Sequence, residues 1–309
     1  MSGTIRLAQI AGISVFLHWS WFLVAIYEIN MRGGYSSYVW NVLEYLSLFG
    51  IVTMHEFGHA LACRQVGGRA DQIVLWPLGG IAYVSPPPRP GATLWSIVAG
   101  PLVNVALIPV LALLFLFVSF RVDPSIPLSD FGEFIVALNV INLVLLLFNI
   151  LPIYPLDGGK IVWAMLWFVM GRARSLMVAV ILGFVGVAGV VILAVVIQSL
   201  WLGILAAFAG LQCYSGFKQA QALMRYAEMP RREEFSCPSC KAAPPRGRFW
   251  TCMACRNVFD TFETGAVCPN CQTRFPTAAC PNCGVSTPYS QWSPTEGVLQ
   301  GVPQGERET

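Results

Sequence analysis

Charge is scarce in this sequence. Asp, Glu, Lys and Arg make up 11% of its 309 residues, where a soluble globular domain carries about 25%. With 56% hydrophobic residues as well, the composition excludes an ordinary soluble protein and points to a membrane protein. The net charge is only +3, too little for the basic surface of a nucleic-acid binder. Histidine is scarcer still, with three in the whole chain, so each can be weighed by itself. Cysteine is nearly missing from the apolar part, which holds only Cys63 and Cys213. The other eight lie between 237 and 283, and that clustering marks a second kind of module.

Six apolar stretches stand out, roughly 12–29, 41–65, 93–120, 131–151, 175–197 and 199–217. Most reach the ~20 residues needed to cross ~30 Å of hydrocarbon. The last two are parted only by Gln198 and Ser199, which suggests one bent hairpin. The first follows a single positive charge, Arg6, and no small-residue cleavage site follows it, so it reads as a retained span. Arg64, Arg69 and Arg89 fall after the second stretch, Lys160, Arg172 and Arg174 after the fourth, and Lys218, Arg225, Arg231 and Arg232 after the sixth. The opposite side shows only Arg32 and Arg121. The positive-inside rule then places both termini in the cytoplasm.

Between the second and third stretches, "ADQIVLWPLGGIAYVSPPPRP" (70–90) sets two strand-like runs around a Gly-rich turn and predicts a membrane-associated β-hairpin. Residues 157–171 are too short to span and predict an interfacial helix. Residues 218–235 predict a charged helical exit, and the polar residues after 284 a disordered tail.

The segment "TMHEFGHALACR" (53–64) places two histidines and a glutamate inside an apolar run. On a helix His55 and His59 share a face. They can fill two corners of a zinc tetrahedron, and Glu56 can reach a zinc-bound water as general base. Ionisable groups at that depth are costly unless liganded or paired, and no Lys or Arg lies at comparable depth to pair with Glu56. Counting back from Arg64 at 1.5 Å per residue puts His59 ~7.5 Å and His55 ~13 Å from the boundary. A third ligand is needed. Asp157 in "NILPIYPLDGG" (149–159) is the best candidate, because Pro152 and Pro155 break the helix and let extended chain carry it back. The alternative is that Asp157 caps the helix that follows. His18, beside Trp19, is either an interfacial polar group or an accessory to the site. Cys63 lies on the stripe of His59 but reads as a small hydrophobe.

These motifs resemble the site-2 protease family of intramembrane zinc metalloproteases, in its sporulation-type branch. The carrying residues are His55-Glu56-Phe57-Gly58-His59 and the Asn149, Pro152, Pro155, Leu156, Asp157, Gly158 pattern. "AGPLVN" (99–104) and "GISVFLHW" (12–19) add to it, and the resemblance covers about 12–220. It implies His55, His59 and Asp157 as ligands of one catalytic zinc and Glu56 as general base. Asn149 would contact the substrate backbone or the developing oxyanion, and Asn104 is a further accessory candidate. It also implies a transmembrane protein substrate cut near the cytoplasmic face. A substrate helix must be unwound to be cut, and the 70–85 hairpin could receive the extended strand on its edge.

The clustered cysteines form four C-x-x-C pairs: Cys237/Cys240, Cys252/Cys255, Cys268/Cys271 and Cys280/Cys283. Eight thiolates predict two structural zinc ions, and the pattern resembles zinc ribbons in general. Disulfides are the competing reading, disfavoured on a reducing cytoplasmic side. Spacing leaves open which pairs share a metal. Arg246, Arg248, Arg256 and Arg274 are too diluted to argue for nucleic acid, so a cytoplasmic protein partner is the expected ribbon ligand.

The expected architecture is an all-α polytopic membrane protein of about six transmembrane helices, with a membrane-associated hairpin and a small zinc-ribbon module. Its divisions are a protease domain over 1–222, a linker over 223–235, a double ribbon over 236–285 and a tail over 286–309. Two rival readings meet obstacles in the sequence. A non-catalytic adaptor would have no need of the general base, yet Glu56 is present. A metal transporter needs a polar path, which 175–217 does not offer.

Overall fold

The computed structural model describes residues 3–31, 35–76, 79–120 and 129–292. The chain divides into two compact units, 1–221 and 222–309.

Unit 1 opens with β1 (Thr4–Ile10) and β2 (Ile13–His18), antiparallel, with Ile10 opposite Ile13. The two residues between them, Ala11 and Gly12, both have positive φ (50° and 73°). That is the backbone a two-residue hairpin needs to match strand twist. β2 then pairs in parallel with β3 (Arg69–Trp76), which pairs antiparallel with β4 (Gly79–Ser85). The result is one four-stranded sheet in the order β1-β2-β3-β4, with β4 at an open edge. The 70–85 hairpin is therefore present as half of a larger sheet; its connection at 77–78 lies outside the described residues.

The stretch 12–29 is not one helix, and the chain is not all-α. Its first half is β2, its second half the 11-residue helix α1 (Trp21–Met31). The physical reason is alternation: Ile13, Val15 and Leu17 are buried while Ser14 and Phe16 are half-buried, a period of two that an apolar count cannot see. These inward residues share a core with Val52, Ala60 and Cys63 of α2 (Tyr38–Gln65). Further along, Trp21 meets Tyr45 and Phe49 edge-on, and the Tyr45 hydroxyl donates to the Trp21 carbonyl at 3.0 Å. Strand and short helix thus run in succession beside α2.

The remaining helices are α3 (Pro90–Ser119), α4 (Asp130–Ile150), α5 (Asp157–Met170), α6 (Arg172–Val196) and α7 (Leu200–Glu228). Among the described residues four helices, α3, α4, α6 and α7, are long and apolar enough to cross a membrane. The count of six is thereby reduced: 12–29 is split, and α2 has the length at 28 residues but is interrupted by Glu44, His55, Glu56, His59 and Arg64. Large apolar side chains on the helices face outward, among them Leu113, Phe117, Val185, Val195 and Leu211, each at least 58% exposed. An outer surface of that kind is stable only against lipid, and the protein is an integral membrane protein.

Unit 2 holds two small hairpins, β5 (Trp250–Thr251) with β6 (Val258–Phe259) and β7 (Thr277–Ala279) with β8 (Ser286–Pro288). Residues 286–292, assigned from sequence to a disordered tail, instead form β8 and a 3-10 turn that buries Trp292. Trp292 packs on Phe262 at 4.8 Å, closing a core that includes Cys237 and Cys280. The rest of the expected tail, 293–309, lies outside the described residues.

Candidate metal centres and active site

α2 carries His55, Glu56 and His59, all buried. The loop after α4 turns back, and Asp157, the first residue of α5, reaches them. Three atoms converge. His55 Nε2 and His59 Nε2 each lie 3.0 Å from Asp157 Oδ2. The two nitrogens are 3.1 Å apart. Ligands on a tetrahedral zinc with bonds of about 2.0–2.1 Å stand about 3.3–3.4 Å from one another. The triangle is close to that size, and the donor set of two imidazoles and one carboxylate fits zinc. Glu56 lies with the histidines, their ligand atoms all within 4.8 Å.

Both rings are aimed from behind. The Nδ1 of His55 is 2.6 Å from Asn104 Oδ1, and the Nδ1 of His59 is 2.9 Å from the Ser96 carbonyl. Each oxygen can only accept, so both Nδ1 atoms carry a proton, and both Nε2 atoms are turned toward Asp157, the orientation metal ligation needs. Asn104 is itself held, donating to Asn142 Oδ1 at 2.8 Å while Asn142 donates to the Asn104 carbonyl at 3.0 Å. Ser96 and Asn142 were not singled out from sequence: a backbone carbonyl leaves no side-chain signal, and an asparagine inside an apolar helix does not show which neighbour it holds.

Glycines set the approach distances. A Cβ on Gly100 would stand 2.3 Å from His59 Nε2 and 2.9 Å from His55 Nε2. One on Gly158 would meet the Ile150 carbonyl oxygen at 2.2 Å, and one on Gly159 the Tyr154 nitrogen at 2.3 Å. The AGPLVN and LDGG stretches therefore let α3 and the returning loop close on the histidines.

A cavity of about 440 Å³ opens from the triad. Glu56, His59 and Asp157 form its inner wall, Val84 and Ser85 at the end of β4 flank it, and Lys160, Trp163, Trp167 and Arg172 line its outer part. A larger space of about 620 Å³ between α6 and α7 is lined mostly by aliphatic residues, with Gln198 and Ser199, and by no titratable group. Asn149, half-buried near the end of α4, does not line the cavity. Neither does His18, whose Nδ1 is 2.6 Å from Ser20 Oγ and whose ring stacks on Trp76 at 3.9 Å. Cys63 is buried with its thiol toward the Arg69 carbonyl at 3.5 Å.

In unit 2 the four cysteine pairs nest. Cys237, Cys240, Cys280 and Cys283 form one cluster, and Cys252, Cys255, Cys268 and Cys271 the other. The contacts across them, Cys237–Cys283 at 3.8 Å, Cys240–Cys280 at 3.7 Å, Cys252–Cys271 at 3.5 Å and Cys255–Cys268 at 3.6 Å, lie near the ~3.8 Å sulfur spacing of a tetrahedral zinc with 2.3 Å bonds. All four knuckles share one backbone. The residue after each second cysteine (Lys241, Arg256, Gln272, Gly284) has φ between 59° and 74°. Its N–H donates to the carbonyl of the first cysteine at 2.8–2.9 Å. Both clusters fit structural zinc.

The peptidase family M50 model matches residues 44–126 and 123–193, the segments that carry His55, Glu56, His59 and Asp157. A solved site-2 protease from Methanocaldococcus jannaschii is similar with a TM-score of 0.51 and 27% identity, over 69% of this chain and 95% of that one. Over residues 44–193 the chain is similar to the M50, or site-2 protease, family. A zinc metalloprotease of the same archaeon is 33% identical over 183 residues, 59% of this chain and 51% of that protein. A Synechocystis relative is 30% identical over 190 residues, 57% of this chain and 47% of that protein. This chain spans about half the length of the curated relatives it matches.

Proposed function

We propose that this protein is an intramembrane zinc metalloprotease that hydrolyses peptide bonds in or near transmembrane segments of membrane proteins. The observation that carries the reading is the convergence of His55 Nε2, His59 Nε2 and Asp157 Oδ2 within 3.1 Å of one another, beside buried Glu56, in an apolar helix bundle. His55, His59 and Asp157 would hold the catalytic zinc. When bound, zinc supplies a Lewis acid and lowers the pKa of a water to about 7. Asn104 and the Ser96 carbonyl keep the imidazole protons on Nδ1, so the Nε2 donors need no reorganisation. Glu56 accepts the proton of the attacking water and returns it to the leaving amide nitrogen. Water needs a path to this depth, and the cavity wall beside Glu56 is that path. Asn149 and His18 remain candidates for accessory roles that the geometry does not favour.

The exposed edge of β4 ends at the cavity, where Val84 and Ser85 line it. An unwound substrate segment added to that edge would run past Glu56. The basic residues keep the assignment of both termini to the cytoplasm. The two four-cysteine clusters would hold structural zinc, and the module would dock a cytoplasmic partner or the substrate.

The test pairs wild type with Glu56→Gln against a panel of single-span substrates, with and without a zinc chelator. Cleavage by wild type alone, abolished by chelation while Glu56→Gln retains zinc, is the expected result. If neither protein cuts while both keep about three zinc ions, counted from one site plus two ribbon clusters, the adaptor reading replaces this one.

A further inference from the structure

Outside the triad, the cavity carries positive charge that the hydrolytic chemistry does not use. One face of α5 presents Asp157, then Lys160, Trp163 and Trp167, at intervals of three and four residues. Lys160 is committed inward, its Nζ 3.4 Å from Asp157 Oδ1. The two indoles stack at 5.7 Å and 14°. Gly171, at φ 79°, turns the chain, and Arg172 swings its guanidinium to 5.4 Å over the Trp167 ring. Trp163 Nε1 donates to the Arg172 carbonyl at 3.3 Å and fixes that turn. Among the described residues no carboxylate lies within ion-pair distance of Arg172. A guanidinium stacked on an indole keeps its N–H edge free for a planar, bidentate acceptor.

We propose that Arg172, braced by Trp167, is a specificity subsite for a carboxylate side chain in the extended substrate segment. This deepens the proteolytic reading and rests on it. The distance along α5 from Asp157 to Trp167 is about 15 Å at 1.5 Å per residue. Extended chain advances about 3.3 Å per residue. The preferred Asp or Glu therefore sits about four or five residues from the cut bond. The preference is positional, because only a carboxylate at that spacing reaches the Arg172 guanidinium over Trp167.

The test separates recognition from cleavage by reading binding in the zinc-loaded, full-length Glu56→Gln protein in uncharged micelles. Labelled single-span peptides carry one Glu, or Gln in its place, scanned along the segment. The expected result is about tenfold or tighter binding of the Glu peptide at one position. Adding Arg172→Gln should bring that peptide down to the Gln peptide's affinity. Arg172→Glu should move the preference to a Lys peptide, and this swap shows that the variant protein is folded. Equal binding of Glu and Gln peptides throughout, or a preference that survives Arg172→Gln, overturns the proposal. So does loss of the preference on adding phosphatidylglycerol, which would make Arg172 a lipid-headgroup contact. If the Glu peptide is bound selectively yet wild type cuts nothing, the subsite stands and the proteolytic reading falls.

Discussion

Asn104 is the residue on which His55 depends. Its side-chain oxygen holds the Nδ1 proton, and its amide is fixed by Asn142, so the imidazole cannot flip its tautomer without breaking a buried pair. Replacing such a partner costs about 10–100-fold in metal affinity or activity in known metal sites. Asn104→Ala should therefore lower both zinc affinity and kcat/KM by that order, while Asn139→Ala, whose amide ties α4 to the Leu111 carbonyl, should leave zinc affinity alone. Zinc titration of the two variants decides it. Gly100→Ala is a steric counterpart: its methyl would overlap His59, and zinc content should drop with the hydrogen bonds still formed. The chemistry was legible at this scale because HEFGH and LDGG are local patterns whose residue types have few other uses inside hydrocarbon. Lys160, Arg172 and the Ser96 carbonyl were not, because each gains its role from a contact between helices.

Among the elements, α6 and α7 contribute no ligand to the triad, yet they grip the loop that brings Asp157 to it. Tyr154 lies against Gly183 and Gly216, where an added Cβ would stand 2.7 Å from the tyrosine carbonyl oxygen and from ring atom Cε1 respectively. The Cys213 thiol donates to that carbonyl at 3.0 Å. Overfilling such a contact typically costs about 1–3 kcal/mol. Gly216→Ala should lower activity by displacing Asp157, and trimming the ring in Gly216→Ala with Tyr154→Leu should recover part of the loss. Double-mutant coupling of zinc affinity measures this; purely additive losses would mean the glycine serves only α6–α7 packing. The same scale shows where sequence reading stopped. The hairpin 70–85 announced itself by β-branched runs around glycine, and α3 to α7 by length and apolarity. β1 and the split of 12–29 did not, since an apolar stretch of that length is compatible with a span until alternation is weighed against a buried partner.

For the whole molecule, two kinds of cohesion meet in one chain. Unit 1 is held by helices whose outer faces suit lipid, whereas unit 2 is a small module built on two four-cysteine clusters and an aromatic core around Phe262 and Trp292. Nested pairing was illegible because every knuckle has the same spacing; only the folded chain brings the first pair to the fourth and the second to the third. Zinc supplies folding energy to such modules, so chelation should strip amide protection from 237–292 while α3, α4, α6 and α7 keep theirs, as read by hydrogen exchange.

Acid should act on unit 2 through the thiolates first. Asp260 is buried and accepts from Arg232 at 2.8 Å and from the backbone N–H groups of Gly247 and Phe262 at 2.9 and 3.0 Å. Burial pushes its carboxyl up, but the Arg232 guanidinium and the two N–H donors outweigh burial and hold it below its ordinary value. A carboxyl depressed in the folded state stabilises fully above its unfolded pKa of about 3.9 and stops doing so only as pH falls through the lower folded value. Cysteine ligands, by contrast, exchange zinc for protons well above that range. Asp260→Asn should therefore weaken ribbon zinc binding by about 1–3 kcal/mol, and the offset from wild type should stay constant from neutral pH down to the point where zinc is lost. Competition for the ribbon zinc by a chromophoric chelator across pH measures both curves. Curves that converge between pH 7 and 5 would mean that Asp260 takes up its proton there, and the Arg232 pair would not be the anchor its geometry makes it.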